Sequence, residues 1–147
     1  MVIVAGVITI VLCCSSSRKF EMKMVSAIVA NCQGHGECTL RPKDVTNFQW
    51  DRMYAFDYSA RESEVEQILG TKYHWGGEFH RKIIFMKGSK IVFHEEEPTD
   101  VEYRLKDEVA FDFAPNTDYK LYSHDVIFKV SKHWGRNGIY YKLTEVH

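Results

Sequence analysis

Residues 81–98 read RKIIFMKGSKIVFHEEEP. Two apolar runs, 83–86 and 91–93, are built from β-branched and aromatic side chains. Between them stands Gly88-Ser89, a pair suited to a two-residue type I′ or II′ turn. The stretch therefore predicts a β-hairpin, and the rest of the fold is read outward from it.

Upstream, SARESEVEQILG (59–70) has the pattern of a short amphipathic helix. Ser59 and Glu62 stand at capping-box spacing, and Val65, Ile68 and Leu69 form an apolar stripe. Gly70 is placed to end the helix in the left-handed conformation. Before it, RMYAFDY (52–58) alternates, with Tyr54, Phe56 and Tyr58 on the face expected to be buried. Residues 39–41 predict a short strand, which Pro42 would confine to a sheet edge. In FEMKMVSAIVA (20–30), Phe20, Met24, Ala27 and Ile28 share one helical face.

Downstream, VEYRL (101–105), VAFDF (109–113), KLYS (120–123), DVIFKV (125–130) and GIYYKL (138–143) read as half-buried strands, with GRNG (135–138) as a turn. The sum is an α+β domain over residues 20–147: one or two short helices packed on a single antiparallel sheet of about six strands in meander order. A chain of 147 residues has room for one core. Its 45% hydrophobic content makes it globular, and 14% aromatics favour strands. The net charge of −1 carries no basic footprint for nucleic acid.

The first seventeen residues carry no charge, and the apolar run 2–12 is eleven residues long. A membrane-spanning helix needs about 20 apolar residues and a signal-peptide core about 7–15, so residues 1–19 are expected to be a signal, anchor and tether. VLCC (11–14) resembles the lipobox of bacterial lipoproteins, followed by a Ser15-Ser16-Ser17 tether. The resemblance implies lipidation at Cys14, or less favourably at Cys13. Cys13 stands at the position before the cleavage point, and no basic residue precedes Arg18. Such an anchor would place the protein in the cell envelope, facing the periplasm or the exterior.

Cys32 and Cys38 enclose a polar loop containing Gly34 and Gly36. In an exported chain the pair is expected to form a disulfide. The competing reading, a metal site from Cys32, His35 and Cys38, supplies three ligands where a structural zinc site takes four.

The sequence contains no G-x-S-x-G elbow, P-loop, G-x-G-x-x-G or H-E-x-x-H. His80 and His94 flank the hairpin at unequal distances from its turn, so they are not direct cross-strand partners. No catalytic residue, metal or cofactor is expected. Two segments suit a protein interface. YHWGGEF (73–79) offers His74, Trp75 and Phe79 beside a glycine pair. Glu95, Glu96 and Glu97 form either a solvated strand end or a docking patch for a basic partner.

The pattern N-F-x-W-D-x-M-Y-x-F, carried by Asn47, Phe48, Trp50, Asp51, Met53, Tyr54 and Phe56, resembles a group of small bacterial envelope lipoproteins with no assigned activity. Helix 59–70 and the hairpin extend that likeness over residues 30–147. EVEQILG (64–70) before a hairpin is also similar to outer-membrane assembly lipoproteins and β-lactamase-inhibitor-like modules. These likenesses imply an envelope address and a non-enzymatic, lipid-anchored protein that binds another protein, as an assembly factor or an inhibitor or immunity protein. The alternatives are an envelope enzyme with a His and acid cleft, and a ligand-binding module with an aromatic groove.

Overall fold

The computed structural model describes residues 18–34, 37–74, 79–98 and 102–147. Its elements are α1 (Lys19–Asn31), β1 (Cys38–Leu40), α2 (Pro42–Val45), β2 (Arg52–Phe56), α3 (Glu62–Leu69), β3 (His80–Lys87), β4 (Lys90–Pro98), β5 (Val109–Phe111), β6 (Tyr119–Ser123), β7 (Phe128–Gly135) and β8 (Gly138–Glu145). The chain is α+β, but the single six-stranded sheet is corrected to two sheets of four strands. One has the order β1-β7-β8-β5 and the other β4-β3-β2-β6. The reason is long-range pairing: β1 joins β7, β2 joins β6, and β5 joins β8 in parallel. A meander reading sees consecutive strands alone. Residues 102–105, within the expected strand 101–105, are bends and irregular chain.

The hairpin forms as read. Gly88 has φ +58° and Ser89 does not have a positive φ, the pattern of a type II′ turn. A bulge between Phe85 and Met86 leaves Val92 unpaired in the register, which moves from Phe85–Phe93 to Met86–Ile91. His80 lies opposite Pro98 and His94 opposite Ile84, so the two histidines are not cross-strand partners.

Two apolar clusters share β2 and β3. The larger joins Phe20, Met24 and Ile28 of α1 to Met53, Ala55, Phe85, Phe111, Phe128 and Leu143, drawn from both sheets. The smaller lies under α3, where Val65 and Leu69 meet Tyr54, Phe56, Ile84 and Met86. Strand β2 is thus buried on both faces, where its sequence alternation had predicted one.

Cys32, just past α1, is bonded to Cys38 in β1 with Cα atoms 5.4 Å apart. The disulfide ties the helix to an edge strand of the first sheet, as expected from the loop. Among the described residues, no helix is long and apolar enough to cross a membrane.

Candidate functional site

The site is assembled around α3. The helix begins two residues later than its sequence suggested. Arg61 is the N-cap, and its backbone N–H donates to the Glu64 carboxylate at 2.9 Å. Ser59 instead donates to Asp118 at 2.9 Å. The expected Ser59–Glu62 box is therefore an Arg61–Glu64 contact. Arginine has no acceptor, so this is half of a reciprocal box. Gly70 ends the helix with φ +70°, as predicted, and turns the chain back along it.

On the return, the Tyr73 N–H donates to Glu66 at 3.0 Å. The Tyr73 ring is buried, and its hydroxyl donates to Glu96 at 2.7 Å and meets His94 Nδ1 at 3.3 Å. This holds the loop against the sheet and brings His74, itself exposed, to 3.5 Å from Glu62 in the first turn of α3.

A groove of about 560 Å³ opens beside that turn, lined by Tyr58, Ala60, Glu62, Glu66, Phe79 and Lys82. Phe79 is 64% exposed and sits at φ +60°. An aromatic residue rarely adopts this left-handed backbone, and such strain concentrates at working sites. Lys82 lies at the groove base with 1% exposure; its ammonium donates to the His80 carbonyl at 2.6 Å and the Ala60 carbonyl at 3.5 Å. Burial lowers its pKa, and the carboxylates of Glu96 and Asp57 oppose that fall. A partly desolvated amine beneath an open groove can receive an anionic or carbonyl group. His80 Nδ1 stands 3.8 Å from Glu96, so His80 and His94 both approach the Tyr73–Glu96 pair.

The three glutamates of β4 do not form one patch. Strand alternation sends Glu96 toward α3 and buries Glu95 and Glu97 on the opposite face. A docking surface of three solvated carboxylates is therefore corrected to two buried contacts and one half-buried one. Glu95 accepts the backbone N–H groups of Phe20 at 2.7 Å and Glu21 at 3.1 Å, capping α1. Glu97 pairs with Arg18 and Arg81. Arg81 also reaches Glu21 at 3.3 Å and Glu108 at 3.5 Å, and Arg104 reaches Glu108 at 2.6 Å. These charges are buried because guanidiniums from distant segments neutralise them.

Trp75, Cys13 and Cys14 lie outside the described residues. Trp50 is in the core, packed on His124 with ring centroids 4.8 Å apart. Sequence reading passed over Lys82, hidden in an apolar strand run, and Trp134. The latter is 77% exposed on β7, with the Lys132 ammonium over its ring at 5.4 Å. The GRNG turn, which ends β7 one residue past Trp134, was the available signal that this aromatic lies beyond the core.

No protein-family model, curated protein or solved structure matches the chain.

Proposed function

We propose that this chain is a non-enzymatic, protein-binding component of the bacterial cell envelope. It is anchored through acyl chains on Cys14, or on Cys13, and acts as an assembly factor or as an inhibitor or immunity protein. The observation that carries the binding reading is Phe79: an aromatic side chain on a strained backbone, 64% exposed, on the rim of a 560 Å³ groove. Exposed aromatics beside a pocket are the usual anchors of protein interfaces. The lipobox-like start and the Cys32–Cys38 disulfide support the address.

A photo-cross-linking residue at position 79, in the membrane fraction of producing cells, tests the reading. One discrete adduct is expected, lost when unlabelled wild type competes and retained when Phe79→Gly competes in its place. Metabolic labelling with radioactive palmitate is expected to mark the wild type and Cys13→Ser, and not Cys14→Ser. A chain that stays unlabelled, leaves the membrane fraction with salt and gives no adduct would refute both parts.

One observation favours a second reading, a small-ligand module: the buried Lys82 ammonium under the aromatic rim of Tyr58 and Phe79. A small anionic ligand that displaces the adduct, with its binding lost in Lys82→Met, would decide for it.

A further inference from the structure

We propose that Glu62, Glu66 and His74 form a binding site for a zinc-class divalent cation, open to the groove. Glu62 and Glu66 are one turn apart on α3, so their carboxylates share a helix face. The left-handed Gly70 reverses the chain, and the buried Tyr73 fixes the returning loop, which delivers His74 to the same face. Donor atoms of the three side chains all lie within 4.8 Å of one another. Zinc bonds of about 2.0–2.2 Å set ligand atoms some 3–4 Å apart in a tetrahedron, so small rotations of these side chains close the site.

The donor set selects the metal class. One imidazole and two carboxylates suit zinc and its neighbours, whereas calcium and magnesium prefer oxygen alone. Three protein ligands leave a fourth position, the arrangement of open zinc sites. Glu62 and Glu66 also line the groove, so that position faces it. Two neighbouring cations bear on affinity. The Arg61 guanidinium is engaged by Glu64 at 2.7 Å. Lys72 holds Glu66 at 3.4 Å and is 83% exposed, a weak competitor that a metal displaces.

Calorimetric titration of the full chain in detergent with zinc chloride alone tests the site, with magnesium chloride as the comparison cation. One zinc per chain is expected, and no magnesium binding. Losing an outer-shell partner already costs a metal site about 10–100-fold. His74→Ala and Glu66→Gln should therefore each weaken zinc by about 100-fold or more. Lys72→Gln should tighten it severalfold by removing the competing ammonium. His124→Ala, which removes another histidine, half-buried and 3.6 Å from a carboxylate, should leave affinity unchanged. All four positions carry exposed or half-buried side chains, and far-UV circular dichroism confirms equal folding of the variants. The proposal is overturned if zinc does not bind, if His74→Ala binds as the wild type does, or if His124→Ala is the variant that loses binding.

Discussion

The carboxylate of Glu95 caps helix α1 at Phe20, accepting its backbone N–H at 2.7 Å across 75 residues of sequence. A helix start leaves N–H groups that its own turns cannot satisfy. Here a strand supplies the acceptor, and the helix has no side-chain cap of its own at Arg18. Glu95→Ala is therefore expected to destabilise the fold by about 1–2 kcal/mol, the usual cost of a lost N-cap. Glu95→Gln should cost less, because an amide oxygen still accepts. Urea midpoints of the two variants against wild type check the order.

Stability should fall as pH rises from about 4.5 to about 8. Four buried carboxyls, Glu21, Glu95, Glu97 and Glu108, face three guanidiniums, Arg18, Arg81 and Arg104. The excess of one carboxyl is met by a proton shared between Glu97 and Glu21. Burial, then that hydrogen bond, pushes Glu97 up to about 8. Its folded value lies above its unfolded one, so its contribution is complete below the unfolded value and is lost as pH climbs through the folded one. Burial works against Glu21, but its bond to Glu97 and the charge of Arg81 hold it below the ordinary carboxylate range. Its own pH dependence falls on the acid side of this window. Urea unfolding across this range should show a loss on the order of 1–3 kcal/mol. Glu97→Gln, permanently neutral, should remove most of it, leaving the part due to Glu95, whose carboxyl burial also holds above its ordinary value.

Replacing Phe79 by glycine should raise stability while abolishing the ability to compete for the cross-linked partner proposed above. The left-handed backbone at φ +60° costs a non-glycine residue about 1 kcal/mol, and the exposed ring contributes little burial to offset it. Thermal unfolding checks the gain. A loss of stability would mean that the ring packs in the folded state.

Opening the Cys32–Cys38 bond should cost about 2 kcal/mol, the chain-entropy value for a loop closed by a sequence separation of six. Cys32→Ser with Cys38→Ser, compared with the wild type in urea, measures it. Hydrogen exchange should rise first in the last turn of α1 and in β1, the segments that the bond joins.

The parts legible in the sequence were those whose contacts are local. The Gly88-Ser89 hairpin, the Gly70 helix stop and the face of α1 bearing Phe20, Met24 and Ile28 all follow from neighbours within a few residues. Pro42 placed β1 at an edge, where it lies. The first sheet was not legible, because Leu40 pairs with Phe128 and Val109 with Tyr141 in parallel. No local periodicity encodes such pairings. The acidic run failed for a related reason: charge normally signals solvent, and the guanidiniums that allow Glu97 to be buried come from Arg18 and Arg81. At the candidate site, His74 and Phe79 were singled out from aromatic and polar composition. Their relation to Glu62, Glu66 and Lys82 depends on the chain reversal after α3.

Helix α1 is fastened at both ends, by Glu95 and Glu97 of β4 at its start and by a disulfide at its finish. A pull on the chain ahead of Arg18 would thus meet two joints of unequal strength. The joint made by the Arg18–Glu97 ion pair and the Phe20–Glu95 hydrogen bond would yield first, and the helix would peel from the edge of one sheet. The covalent joint at Cys32 would then pass the load across the short loop directly to Cys38, and the next contacts to bear it would be the pairs of β1 with β7.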